Sequence, residues 1–283
     1  MKKLAVIGAG QMGLGIAQVG AQAGYNVLMY DVCREALENA TASIIMNLEK
    51  GIKRGKLTTI EKETALSHLR TTTLIEDIAG SELVIESVPE IVKLKLEVYQ
   101  KIGEVCGPDV YIATNTSSQS ITELAGGVMR PELFAGMHFF NPVHSMKLVE
   151  LIKGMETSEE TVVIIKNVAQ DMGKEVVEVN ESPGFVTSRM NALIGNEAFH
   201  MLEEGVASAR DIDKAIKLGL NHPMGPFEMI DLVGLDTRLR TMEYLQATLG
   251  ERFRPSILHR KYVLAGRLGK KVGKGVYEYG NES

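Results

Sequence analysis

The chain has six histidines, and His138 stands apart by position: it nearly closes an apolar run over 134–139 and precedes Phe140-Asn141-Pro142. An imidazole at the end of a strand is a proton acceptor suited to neutral pH. Glu150 follows 12 residues later inside a second apolar run, 148–152, where a carboxylate has little reason to stand unless it is paired. A glutamate accepting from the far ring nitrogen would fix the tautomer and steady the imidazolium as it forms. Asn115-Thr116-Ser117-Ser118 ends a third apolar run and brings hydroxyls to the same rim. Such a set suits removal of a hydroxyl proton while a hydride leaves for a nicotinamide. The spacing by itself also fits a histidine and a glutamate with no shared task.

Near the start, Gly8-Ala9-Gly10-Gln11-Met12-Gly13 fits G-x-G-x-x-G. In a chain with 28 glycines the pattern alone says little, but here it follows an apolar run, 4–7, and opens a helical stretch, 12–23. Gly8 allows a tight turn, Gly10 lets the backbone approach a pyrophosphate, and Gly13 lets the helix lie close to the sheet. Gly8, Gly10, Gln11, Met12 and Gly13 therefore form the candidate phosphate turn, where a diphosphate meets N–H groups and the positive end of a helix. Asp31 lies 18 residues beyond Gly13 at the end of the next apolar run, placed to accept from the adenosine ribose hydroxyls. A carboxylate there repels a 2′-phosphate, which favours NAD. Arg34 nearby softens that preference, so NADP stays open, and an FAD protein can carry the same turn.

These side chains need a frame. Short apolar runs at 4–7, 27–30, 83–85, 110–113, 134–139, 148–152 and 175–179 predict strands, and 12–23, 34–53, 58–69, 92–105 and 159–172 predict helices. The alternation predicts an α/β domain over 1–181: a Rossmann-type, mainly parallel sheet with helices on both faces and a helical hairpin inserted near 34–69. The pattern changes at Ser182-Pro183-Gly184. Phe185, Met190, Leu193, Ile194, Phe199 and Leu202 recur at helical spacing, and 211–218 and 229–249 look helical too. Residues 182–283 are thus expected to form an all-helical domain, whose broad apolar faces point to a homodimer.

Composition narrows the function classes. A net charge of −5 argues against a nucleic-acid partner, and an anionic ligand would need a local cluster of cations. Cys33 and Cys106 make neither a disulfide framework nor a zinc spacing, so no metal is expected and a reducing, cytoplasmic setting is the simplest reading. No apolar run approaches the roughly 18 residues of a membrane span. The opening Met1-Lys2-Lys3 and apolar run imitate a signal peptide only until Gly8, Gly10 and Gln11.

At these residues the chain resembles the short-chain bacterial L-3-hydroxyacyl-CoA dehydrogenases, most closely the 3-hydroxybutyryl-CoA dehydrogenases. The resemblance runs through the glycine turn, 83–90 (LVIESVPE), 115–118 (NTSS), 136–142 (GMHFFNP), 146–151 (MKLVEL), 182–186 (SPGFV), 221–226 (NHPMGP) and 269–277 (GKKVGKGVY). It implies an NAD-binding domain followed by a helical dimerisation and substrate domain. It also implies that His138 is the catalytic base, Glu150 its partner, and Ser117 a hydroxyl touching substrate and nicotinamide. Glu90 and Lys95 then fall near the nicotinamide-side ribose, Asn115 and Lys271 among the cofactor contacts, and Asn141 among the substrate contacts. The hairpin would meet the CoA nucleotide, and it carries Lys50, Lys53, Arg54 and Lys56. One position departs: Ser188 stands where relatives have an asparagine, giving a shorter reach and one polar atom fewer.

The implied reaction is hydride transfer between NAD and C3 of a short-chain L-3-hydroxyacyl-CoA, with 3-hydroxybutyryl-CoA and acetoacetyl-CoA as the pair. Two alternatives keep the same fold: oxidation of a free 3-hydroxy acid or sugar acid, and a non-catalytic NAD-binding protein. Preference for thioester over free acid separates the first, and any NADH turnover separates the second.

Overall fold

The structure, a computed structural model, describes residues 2–280. It divides into two compact units, Met1–Ser182 and Pro183–Ser283.

In the first unit the chain alternates as its periodicity requires. The sheet strands are β1 (Lys3–Ile7), β2 (Asn26–Tyr30), β3 (Leu69–Thr72), β4 (Leu83–Glu86), β5 (Tyr111–Thr114), β6 (Phe134–Phe139), β7 (Leu148–Lys153) and β8 (Glu175–Asn180). Between them lie α1 (Gln11–Gln22), α2 (Arg34–Lys53), α3 (Thr59–Ser67), α4 (Val92–Cys106), α5 (Ile121–Ala125) and α6 (Glu159–Asp171). The eight strands run in the order β3-β2-β1-β4-β5-β6-β7-β8. Every residue of β4 and β6 is buried, so both faces of the central sheet are covered, as parallel strands demand.

The first six strands in chain order are parallel, which puts their carboxyl ends on one edge of the sheet. β7 reverses and pairs antiparallel with β6. Residues 140–147 are too few for a crossover helix, so the chain has to turn straight back. β8 then returns parallel to β7 by way of α6.

The predicted helix over 58–69 is shorter in the structure. It starts at a capping box between Thr58 and Glu61 and stops at Ser67, and Leu69–Thr72 pairs with β2 as an edge strand. The threonines that follow Arg70 favour an extended backbone, and helical periodicity has already run out there.

The second unit is helical: α7 (Thr187–Glu203), α8 (Ala209–Gly219), α9 (Pro226–Val233), α10 (Leu235–Leu249) and α11 (Ile257–Leu264). The stretch 229–249, read as one helix, is two, because Gly234 takes φ +105° between α9 and α10. Two buried aspartates tie the C-terminal segment down. Asp231 accepts from Val276 N (2.8 Å), Tyr277 N (2.9 Å) and the Tyr279 hydroxyl (2.8 Å). Asp213 accepts from Phe227 N, Glu228 N and the Tyr277 hydroxyl. A Cβ on Gly275 would sit 2.0 Å from Asp231 Oδ1, so a glycine of the 269–277 motif serves packing. Among the described residues no helix is long and apolar enough to cross a membrane.

Candidate active site

The glycine turn leaves β1 and enters α1. Gly8 has φ +99°, and a Cβ there would meet the Ser87 carbonyl oxygen at 2.6 Å. A Cβ on Gly13 would fall 1.8 Å from the Gly8 carbonyl oxygen, so the turn and the first helical turn touch backbone to backbone. At Gly10, by contrast, a Cβ meets nothing within 4 Å, and no side chain caps the helix that Gly10 begins. A tight turn, an open approach at its apex and uncapped N–H groups are what a dinucleotide diphosphate requires. Asp31 ends β2 and turns back to this loop, accepting from Ala9 N (2.8 Å) and Cys33 N (2.9 Å). Each oxygen has a further lone pair for a ribose hydroxyl. The residues present fit NAD.

His138 and Glu150 lie opposite one another across the β6–β7 pairing. Their side chains meet, with His138 Nδ1 2.7 Å from Glu150 Oε2, and both are buried. Phe140 packs on the imidazole with ring centroids 4.4 Å apart. Asn115, at the end of β5, accepts from Phe139 N (2.9 Å) and so ties the neighbouring strand end to β6. Asn141 accepts from the Gln11 amide (3.2 Å), joining the loop after β6 to the start of α1. The glycine turn, Asp31, Asn115, Ser117, His138 and Asn141 thus gather at one edge of the sheet, the carboxyl ends of β1, β2, β5 and β6. That edge is where ligands of open α/β sheets bind.

Ser117 is exposed at this rim, and its backbone N–H donates to Glu90 Oε1 (2.9 Å). Glu90 also accepts from the Thr116 hydroxyl (2.9 Å). The Lys95 side chain has no exposed surface, and its ammonium sits 2.7 Å from Glu86 and 3.6 Å from Glu90. The buried ammonium thus stands behind Glu90, between it and Glu86. Sequence reasoning passed over Glu86, although a carboxylate ending the run Leu83-Val84-Ile85 gives the same signal that singled out Glu150. Lys174 was missed as well. Its buried ammonium donates to the carbonyls of Val143 (2.5 Å) and Met146 (2.9 Å) and braces the loop that carries Asn141, and burial pushes its pKa down.

A Lys62–Glu49 pair (2.8 Å) links α3 to α2 in the hairpin, and the capping box starts α3. Lys50, Lys53, Arg54 and Lys56 are exposed at its tip. Their field reaches the loop after β6, where burial first, then Lys174, Arg54, Lys50 and Lys56, push the His144 pKa down. Ser188 and Lys271 belong to the second unit. Ser188 sits half-buried in the first turn of α7, and the Lys271 ammonium lies 2.5 Å from Asp236.

Residues 3–182 match the family description "3-hydroxyacyl-CoA dehydrogenase, NAD binding domain", and residues 184–279 match "3-hydroxyacyl-CoA dehydrogenase, C-terminal domain". A probable 3-hydroxybutyryl-CoA dehydrogenase of Bacillus subtilis is 45% identical over 280 residues, covering 99% of this chain and 98% of that protein. A 3-hydroxybutyryl-CoA dehydrogenase of Bradyrhizobium diazoefficiens is 42% identical, covering 99% and 96%. The crystal structure of (S)-3-hydroxybutyryl-CoA dehydrogenase from Ralstonia eutropha superposes with a TM-score of 0.97 at 42% identity, covering 99% of this chain and 100% of that one.

Proposed function

This chain belongs to the 3-hydroxyacyl-CoA dehydrogenase family of NAD-binding enzymes, and from that premise we propose that it interconverts short-chain L-3-hydroxyacyl-CoA and 3-ketoacyl-CoA, with 3-hydroxybutyryl-CoA and acetoacetyl-CoA as the pair. The observation that carries this reading is the buried His138–Glu150 contact of 2.7 Å on the same sheet edge as the glycine turn. The substrates named for the relatives from Bacillus, Bradyrhizobium and Ralstonia support the acyl length.

NAD, when bound, exchanges a hydride with C3 of the substrate. His138 handles the proton. With Nδ1 committed to Glu150, Nε2 is the nitrogen that takes the C3 hydroxyl proton in oxidation and returns it to the ketone oxygen in reduction. Glu150 accepts Nδ1–H, holds that tautomer and balances the imidazolium charge. Ser117 and Asn141 supply hydrogen bonds to the substrate, and Ser188 offers one hydroxyl with a shorter reach than the usual asparagine amide. Gly8, Gly10, Gln11, Met12 and Gly13 hold the diphosphate. Asp31 holds the adenosine ribose and Glu90 the nicotinamide-side ribose, with Asn115 and Lys271 as further cofactor contacts. Lys50, Lys53, Arg54 and Lys56 attract the CoA phosphates as charge-assisted partners.

The chain acts as a cytoplasmic homodimer through its helical unit, where Met190, Leu218, Leu232 and Leu264 are exposed apolar residues. Sedimentation velocity tests the dimer. Initial rates with acetoacetyl-CoA and free acetoacetate, each against NADH and NADPH, test the reaction. The thioester with NADH is expected to be strongly preferred. Equal rates for the free acid would move the reading to a hydroxy-acid dehydrogenase, and no loss of NADH absorbance would leave only a binding protein.

A further inference from the structure

Glu86 is a wholly buried carboxylate with all its acceptor sites engaged. Oε1 accepts from Val88 N (2.7 Å) and the Lys95 ammonium (2.7 Å), and Oε2 accepts from the Tyr99 hydroxyl (2.5 Å) and the Thr114 hydroxyl (2.7 Å). The phenol of Tyr99 is pushed far above its ordinary range by burial and by the carboxylate. Lys95 stands between two acids, in contact with Glu86 and 3.6 Å from Glu90. Glu90 is different in kind. Its side chain is 43% exposed, and it reaches out to the Thr116 hydroxyl and Ser117 N–H at the rim.

One ammonium shared by two carboxylates goes to the nearer and better-anchored of them. We propose that Glu86 is a positioning residue that holds the Lys95 ammonium back from Glu90, so that the Glu90 carboxylate stays turned outward to the rim, oriented for the ribose hydroxyls of the cofactor and for Ser117. Without the Glu86 charge the ammonium closes on Glu90 and draws that carboxylate into the protein. Anchoring by β4, β5 and α4 makes the arrangement rigid, because Glu86 and Thr114 end adjacent strands and Lys95 and Tyr99 lie one turn apart on α4.

This inference rests on the reading of Glu90 as the ribose contact, and the experiment separates the two. The dissociation constant of NADH is measured by fluorescence titration, alongside thermal melting, for Glu86→Gln, Glu90→Gln, the double variant and Thr114→Val. Glu86→Gln is expected to weaken NADH about 10-fold, the worth of one charge-assisted hydrogen bond. The double variant is expected to bind no worse than Glu90→Gln alone, because both substitutions remove the same contact. Thr114→Val, which deletes one of four anchors and keeps the shape, is expected to shift binding in the same direction by about twofold to threefold. This variant decides the matter should Glu86→Gln fail to fold. Glu90→Gln without effect on NADH would overturn the ribose reading and the inference together. A weakened Glu90→Gln beside an unaffected Glu86→Gln and Thr114→Val would overturn the inference alone. The same holds if Glu86→Gln merely melts earlier, or if the two defects multiply in the double variant.

Discussion

Two buried histidines, one in each unit, show how little burial says about chemistry. His138 is 7% exposed and His259 only 1%. In each a ring nitrogen makes a hydrogen bond and an aromatic ring packs against the imidazole. His259 Nε2–H donates to the Leu235 carbonyl (3.0 Å), and the ring stacks on Phe199 at 4.6 Å. Its environment holds the neutral form: burial first, with Arg238 and Arg260 adding to it, pushes the pKa down to about 4. His138 has a carboxylate where His259 has a carbonyl, and it sits at a strand end beside the glycine turn rather than inside a helical core. The charge of the partner and the place in the fold, rather than depth, set the two apart.

That contrast can be broken in order of effect. Replacing His138 with glutamine is expected to lower turnover by about 10²–10⁴ while the NADH dissociation constant holds, since a general base acts only on the proton transfer. Near wild-type turnover in stopped-flow measurements would reduce His138 to a second His259. Glu150→Gln gives His138 a neutral acceptor like that of His259, and a loss about tenfold smaller than that of His138→Gln is expected.

The third test turns to stability. A base whose folded pKa (about 4) lies below its ordinary 6.5 binds fewer protons folded than unfolded between those values. Stability is therefore present in full above pH 6.5 and falls as pH drops toward 4, by about 2 kcal/mol at pH 5. Melting temperature against pH is expected to show this acid limb, and His259→Leu is expected to flatten it without altering turnover at pH 7. A variant with the same acid limb would place the titrating group elsewhere. The smallest effects belong to the exposed hairpin. Lys50→Ala and Arg54→Ala are each expected to raise KM for acetoacetyl-CoA by about twofold to fivefold, with the difference shrinking at high salt. A defect unchanged by salt would point to a packed contact instead of a field.

Legibility followed the physical range of each signal. The glycine turn was readable because its glycines are spaced for a local turn, Gly13 packing on the Gly8 carbonyl five residues before it, although Gly8 itself also meets the distant Ser87 carbonyl. His138 and Glu150 were readable as oddities, polar groups in apolar runs. Glu86 carried that same oddity, yet its meaning lay in Lys95, Tyr99 and Thr114, which come from another helix and another strand. The edge strand Leu69–Thr72 was masked by the helix before it, and the break at Gly234 by apolar residues that keep helical spacing on both sides.

The amino-acid order alone determined the alternation of strands and helices, the phosphate turn, the strand-end imidazole and the change to helices after Ser182, because each is written in local periodicity or in a local turn. Only the tertiary structure decided that Glu150 faces His138, since an antiparallel return of β7 with this register, and no other, sets the two side chains opposite. It alone decided that Lys95 is buried between two acids, because long-range packing chooses which of several nearby charges an ammonium meets.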